Sequence, residues 1–152
     1  MHNNKPVIVM VLPRQAWPPY AGQSRLSFYR AKELKKKGYK LVLISFTYQN
    51  NLKENDLKNL KNVFDEIVFI SLRKIDFIEI GIKASFFRLT NNLPLQASWL
   101  NSEKLINDFS NKISYLRTKY QNIFIHIYSI RTYFLWEIIE KSKNPFVIDL
   151  VD

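Results

Sequence analysis

The sequence predicts an α/β domain built on a parallel five-stranded sheet with helices on both faces. Three observations predict it. The stretch from Pro6 to Phe46 reads strand, loop, helix, strand, which is one βαβ unit. The alternation continues to the end of the chain with no internal repeat, low-complexity linker or break in composition. An apolar content of 47% over 152 residues suits one packed core and lies far from the disordered regime.

The first strand, Val7 to Leu12, stops at Pro13 and leads into a loop with Trp17-Pro18-Pro19-Tyr20-Ala21-Gly22. A helix opens near Gln23-Ser24-Arg25 and closes at Lys35-Lys36-Lys37-Gly38. There the lysines complement the helix dipole and the glycine takes the residue after the cap. Tyr39 to Phe46 is a second strand. Tyr48 to Asn62 is polar, with a short helix around Asp56 to Leu60, and Glu66 to Ile70 is a third strand.

The segment Arg73 to Thr90 carries two patterns. Ile75, Ile78, Ile82, Phe86 and Leu89 fall at helical spacing, while Ile78, Ile80 and Ile82 alternate as in a strand. As a helix it has a second stripe, Phe77, Ile80, Ala84 and Phe87, on roughly the opposite face. Such a helix must bury both faces or offer one to a partner. The expectation is a helix sandwiched inside its own domain. The alternative is a partner domain, or a membrane surface met by Arg73, Lys74, Lys83 and Arg88.

Asn101 or Ser102 caps a helix with the stripe Ile106, Phe109, Ile113, Leu116 and Tyr120. Ile123 to Tyr128 is a fourth strand. Arg131 to Lys141 is a helix with Ile130, Phe134 and Ile138 on one face, and Pro145 to Val151 is a fifth strand. The sequence stops just past that strand with no helix to cover it, so it reads as a fragment of a longer protein.

Charge is unevenly spread. Met1 to Lys40 holds nine Lys and Arg against the single acid Glu33, which supplies most of the net +10. The basic bias thus surrounds the first loop and helix, and suits nucleic acid, anionic lipid headgroups or a diphosphate. No apolar run reaches the roughly 18 residues that span a bilayer. The absence of cysteine excludes a disulfide scaffold, a thiolate metal site and a Cys nucleophile, and fits a reducing compartment.

The common motifs of α/β enzymes are missing. There is no Gly-x-Gly-x-x-Gly, no P-loop, no Gly-x-Ser-x-Gly elbow, and no acidic pair where the first strand ends in Leu12-Pro13-Arg14. Only His2 and His126 exist, so a multi-histidine metal site is excluded, and Asp149 and Asp152 have the wrong spacing for an Asp-x-Asp clamp.

Candidate site residues follow from position. Parallel sheets bind ligands at the carboxyl ends of their strands. The loop before the first helix lies there, with Gly22, Gln23 and Arg25 at the helix N-terminus, an arrangement suited to an anion. Gly22 would hold a phosphate oxygen or simply relieve a tight turn. Arg25 opposes the helix dipole, which a nearby anion would offset. Trp17 and Tyr20 sit on a proline-stiffened loop, placed to stack on a ligand or pack against another domain. His126, among isoleucines, reads as a satisfied core histidine. Tyr128 and Arg131 follow the fourth strand's carboxyl end, where Arg131 would meet a phosphate, or Asp149 or Asp152 internally. Asp152, past the fifth strand, would face a cleft or cap a helix.

These features together resemble one family. The run strand, Pro-x(4)-Pro-Pro-Tyr-Ala-Gly-Gln-x-Arg, helix, Lys-Lys-Gly-Tyr-Lys-Leu-Val-Leu-Ile-Ser is similar to the opening of GT-B glycosyltransferases of the large retaining family 4. Tyr128-Ser129-Ile130-Arg131 and Asn144-Pro145-Phe146-Val147-Ile148-Asp149-Leu150-Val151-Asp152 resemble the far end of that family's N-terminal domain. Leu93-Pro94-Leu95-Gln96 resembles a feature of its bacterial polysaccharide-assembly members. Three positions depart from the pattern. The family's Gly-Gly is Ala21-Gly22, its Gly-His is Gly38-Tyr39, and its His-x-His is His126-Ile127-Tyr128.

The resemblance implies a Rossmann-like three-layer sandwich, the N-terminal half of a GT-B fold, spanning residues 1–152. It implies a two-domain transferase that moves a sugar from a nucleotide-diphosphate sugar to a glycan or lipid-linked acceptor, in the cytoplasm or at the inner face of the plasma membrane. The present domain would bind acceptor or phosphate through Gly22, Gln23, Arg25, Tyr128, Arg131 and Asp152, and would be inactive without the C-terminal donor-binding domain. Trp17 and Tyr20 would stack on a sugar, with His126 a further candidate contact. No metal and no cofactor bound to this domain is implied. A basic α/β module for nucleic acid or an anionic membrane is the alternative, though no recognition helix or RNP-like strand supports nucleic acid.

Overall fold

The computed structural model of the chain describes residues 5–20, 22–48, 53–91, 94–98 and 100–150. Strands β1 (Val7–Leu12), β2 (Leu41–Tyr48), β3 (Glu66–Leu72), β4 (Ile123–Tyr128) and β5 (Phe146–Asp149) form one all-parallel sheet in the order β3-β2-β1-β4-β5. Helices α1 (Gly22–Lys36), α2 (Glu54–Lys61), α3 (Lys74–Asn91), α4 (Glu103–Lys119) and α5 (Tyr133–Lys141) connect them. The fold is a Rossmann-like three-layer α/β sandwich.

Parallel strands need crossovers, and right-handed crossovers fix which face each helix covers. The chain steps outward from β1 to β3 through α1 and α2, then returns to β4 and β5 through α3, α4 and α5. The two groups therefore lie on opposite faces. Burial agrees: Ile8, Met10 and Leu12 pack with Phe28 and Ala31 of α1, while Val9 and Val11 pack with Phe109 of α4 and Ile139 of α5. The reversal of direction makes the exit between β1 and β4 the topological switch point.

The elements form where local chemistry asks for them. α1 ends in a Schellman turn, with Gly38 N–H donating to the Lys35 carbonyl and Tyr39 N–H to that of Leu34. Gly38 has φ +78°, a conformation L side chains rarely adopt. α4 buries the expected Phe109, Ile113 and Leu116, together with Leu105.

Several expectations need correction. Arg73 to Thr90 is a helix and not a strand, but it is not sandwiched. Ile75, Ile78, Ile82, Phe86 and Leu89 are all exposed, whereas Ile80 is buried and Phe77 packs against the core. The Phe87 side chain lies outside the described residues. The cause is placement: α3 leans chiefly on the short 3-10 turn Leu95–Ser98 rather than across the sheet. Neither Asn101 nor Ser102 supplies a side-chain cap to α4. Instead Glu79, from α3, accepts from the Glu103 N–H and from Ser102 Oγ. In α5, Leu135 and Ile139 are the buried pair, and Phe134 and Ile138 form the half-buried flank. Ile130 and Arg131 belong to a separate 3-10 turn, Ile130–Thr132. Val151, at the expected end of β5, lies outside the described residues.

Candidate functional site at the carboxyl edge

At the switch point two adjacent strand exits each turn through a left-handed residue. Gly22 opens α1 at φ +53°. A Cβ there would meet nothing within 4 Å, so the backbone angle, not crowding, demands glycine. On the neighbouring exit Ser129 holds φ +79°, a costly angle for a residue with a side chain. Its Oγ accepts from the Arg131 N–H at 3.3 Å, and its own N–H donates to the Asp149 carbonyl at 2.7 Å. The turn thereby sets Arg131, half-buried, at the carboxyl edge.

The loop from β1 to α1 is braced from beneath. Gln15 Nε2 donates to Thr47 Oγ1 at 2.8 Å, and Trp17 Nε1 donates to Asp56 Oδ1 at 3.1 Å. The Trp17 ring lies 4.9 Å from that of Phe28. Trp17 is thus a half-buried latch between loop, α1 and α2, while Tyr20 is 85% exposed. Gln23 is half-buried and Arg25 exposed in the first turn of α1.

Beneath α1 lies a cluster that links three elements. Arg30 of α1 pairs with Asp149 of β5, which also takes His126 Nε2 of β4 at 3.0 Å. Tyr128 Oη sits 3.2 Å from His126 Nδ1, and the two rings stack at 4.1 Å. The Arg30 guanidinium rests 5.7 Å from the Tyr128 ring centroid. One proton arrangement satisfies the network: Nε2–H donates to Asp149 and Nδ1 accepts from the Tyr128 hydroxyl. The Arg30 contact to Nε2, at 3.3 Å, is then packing, and Arg30 donates to the carboxylate.

The electrostatics agree with that arrangement. Burial depresses the His126 pKa, and the neighbouring Asp149 only partly offsets this, so the ring is neutral at pH 7. Burial pushes Tyr128 up to about 12, against the pull of Arg30. Asp149 is drawn below its ordinary value because its bonds to Arg30 and His126 outweigh the desolvation that would raise it. Arg30 is raised, its bonds to Asp149 and Tyr128 outweighing burial. The cluster is a closed network in which both nitrogens of His126 are engaged, so the ring offers no free lone pair to act as a base.

Beside the cluster, a groove of about 560 Å³ is lined by Gly22, Arg25, Leu26, Tyr29, Arg30 and Glu33. These residues form one stripe along α1. The groove runs from the switch point to the exposed edge of the Arg30–Asp149 pair. A larger depression of about 700 Å³, lined by Lys35, Leu57, Lys61 and Phe69 among others, lies toward the C-terminal end of α1, away from the carboxyl edge.

The structure therefore places Gly22, Gln23, Arg25, Tyr128 and Arg131 at the carboxyl edge, and brings Tyr128 together with His126. His126 is buried and satisfied, as expected of a core histidine, but its partner is a charged pair. Asp149 pairs with Arg30. Asp152 lies outside the described residues, as does Ala21. Arg30 was not among the sequence candidates. Its signal was weak: a place on the Gly22, Arg25, Leu26, Tyr29 stripe, and a strand parity that puts His126, Tyr128 and Asp149 on one face once Tyr128 is registered against Asp149. Among the described residues no cluster of three or more His, Asp or Glu side chains is placed to hold a metal ion.

No known protein family and no curated protein matches the chain. Two solved structures share its fold, both of the C-terminal domain of the PF1911 hydrogenase from Pyrococcus furiosus. The one covering residues 83-215 has a TM-score of 0.55 at 9% identity, over 94% of this chain and 91% of that one. The one covering residues 78-226 has a TM-score of 0.54 at 10% identity, over 95% and 92%. At such identity the likeness concerns the fold alone. No helix among the described residues is long and apolar enough to cross a membrane.

Proposed function

We propose that this chain is the acceptor-side domain of a retaining GT-B glycosyltransferase. The whole enzyme would transfer a sugar from a nucleotide-diphosphate donor to a glycan or lipid-linked acceptor in bacterial surface polysaccharide synthesis, at the cytoplasmic face of the plasma membrane. The observation that carries the reading is the carboxyl edge itself. Left-handed turns at Gly22 and Ser129 flank the switch point, and Arg25, Arg30 and Arg131 surround it beside an open groove.

In this reading Arg25 and the first N–H groups of α1 hold a phosphate or acceptor oxygen. Arg131 meets the charge that develops as the donor diphosphate departs. The Arg30–Asp149–His126 network keeps α1 fixed to β4 and β5, so that the groove holds its shape. Trp17 acts through the loop, and Tyr20 is the ring free to meet a sugar. No residue of this domain is assigned as a base, and the donor would be held by a C-terminal domain.

The test is the coding sequence beyond Asp152, followed by assay of its product. Continued βαβ alternation with a Glu-x(7)-Glu element, and transfer of labelled sugar from a nucleotide-sugar panel to extracted acceptor lipids, is the expected result. Arg25→Ala and Arg131→Ala would then each lower kcat/KM about tenfold or more. A stop codon directly after Asp152, with no transfer, overturns the reading.

A further inference from the structure

Helix α3 is built inside out. Its two acids are both engaged: the Asp76 side chain is 1% exposed and paired with Arg73, and Glu79, 35% exposed on the flank of the helix, is held by Lys83, Ser102 Oγ and the Glu103 N–H. Its large apolar side chains turn outward, with Ile75, Ile78, Ile82, Phe86 and Leu89 each 62% to 85% exposed. At about 100° per residue these five fall within an arc of roughly 80°, opposite the buried Ile80. Lys74 lies on one side of the arc and Lys83 on the other, with Arg88 near its C-terminal end.

We propose that α3 docks the domain on an anionic lipid surface, lying along the bilayer with this stripe at the headgroup boundary and its cations toward the lipid charge. The chemistry of the face selects this occupant. It presents apolar groups flanked by Lys74 and Arg88, while Arg73 and Lys83 are paired with Asp76 and Glu79 of the helix itself, which is the pattern of an interfacial helix. A second copy of the chain fits poorly. Antiparallel pairing centred on Ile82 sets Ile75 against Leu89 and Ile78 against Phe86, and puts Arg88 of one copy opposite Asp76 of the other, a carboxylate that is buried and already taken by Arg73. The net charge of +10, most of it carried by residues 1–40, opposes self-association of the chain as well. A convex row of apolar side chains needs no complementary pocket in a fluid bilayer, and α3, with five charged residues among its 18, is not apolar enough to cross one.

The inference stands apart from the transferase reading, because it concerns α3 and not the carboxyl edge. Vesicle co-sedimentation of the 152-residue chain tests it, with phosphatidylcholine alone and mixed with phosphatidylglycerol. Binding roughly tenfold or more tighter to the mixed vesicles is expected. An I78E/I82E double variant should lose it while keeping the circular dichroism spectrum and melting temperature of the parent, since both sites are exposed. A K74E/R88E variant should bind mixed and neutral vesicles alike. Unchanged binding by I78E/I82E, equal binding of the parent chain to both vesicle types, or no binding by a chain that runs as a dimer in light scattering would each overturn the proposal. Failure of sugar transfer with vesicle binding intact would remove the transferase reading and leave this one standing.

Discussion

Helices α3 and α4 follow one another in the chain and carry apolar stripes of similar spacing, yet they face opposite ways. In α4 the stripe is the core: Leu105, Phe109, Ile113 and Leu116 are at most 2% exposed. In α3 the more regular stripe is outside, and the inward face carries Asp76 beside Ile80. The difference is what each helix meets. α4 lies against β3 and α5, which demand apolar partners, whereas α3 packs chiefly on the 3-10 turn Leu95–Ser98 and lends Glu79 to the N-terminus of α4. Periodicity therefore reports that a helix has a face. It does not report what covers that face.

The comparison predicts a large asymmetry between like residues. Phe109→Ala in α4 removes a ring at 0% exposure, its centroid 6.3 Å from that of Phe46, and should cost about 3–5 kcal/mol in urea unfolding. A loss below about 1 kcal/mol would mean α4 is not the core helix described here. Asp76→Ala comes next. The carboxylate accepts from the Arg73 N–H at 2.7 Å, closing the first turn of α3, and its loss should cost about 1–2 kcal/mol. The bonds to Arg73 hold the Asp76 pKa below its ordinary value despite the burial that would raise it, so this stabilisation is complete above the unfolded pKa and disappears as pH falls through the folded one. Asp76→Ala should accordingly show a flatter acid limb than the parent.

How far the sequence carries these arguments differs by region. The five strands, the sheet direction and the buried face of α4 follow from β-branched runs, crossover handedness and one clean stripe. Strand ends shift by a few residues because ladder bonds, not propensity, set them: β2 begins at Leu41, where its pairing with Ile8 begins. The carboxyl edge is legible through Gly22, Arg25, Tyr128 and Arg131, since the topology rule needs only strand order. The Arg30–Asp149 pair is not, because it spans 119 residues and depends on how α1 sits over β4 and β5. Trp17 shows the same limit: a loop tryptophan looks available until Asp56 and Phe28 are found holding it.

The buried polar cluster under α1 offers a third test, set against the carboxylate of α3. Both contain an acid held down by an arginine, but only the α1 cluster adds a histidine kept neutral by burial. A folded pKa below the unfolded value of 6.5 makes its contribution complete above pH 6.5 and lost as pH falls through the folded pKa. Melting temperature should therefore begin to fall from about pH 6.5 downward in the parent. In His126→Gln it should stay level until the carboxylate range. An identical pH profile for the two proteins would place the histidine outside the linkage.

The smallest expected effect is the one that most sharpens the contrast. Ile82→Ser, on the outer face of α3, removes a β-branched apolar side chain that is 68% exposed, so little transfer energy is at stake. Ile and Ser differ little in helix propensity, which leaves the expected change within about 0.5 kcal/mol. The same substitution at Ile113, 2% exposed on α4, would both open a cavity and bury a hydroxyl. Measured side by side, the two variants separate stripe from core without any assumption about function. A cost at Ile82 comparable to that at Ile113 would show that α3 is covered in solution, by a second copy or by the chain itself. Near-neutrality at Ile82 leaves a persistent apolar face whose retention on a folded domain calls for an external surface to receive it.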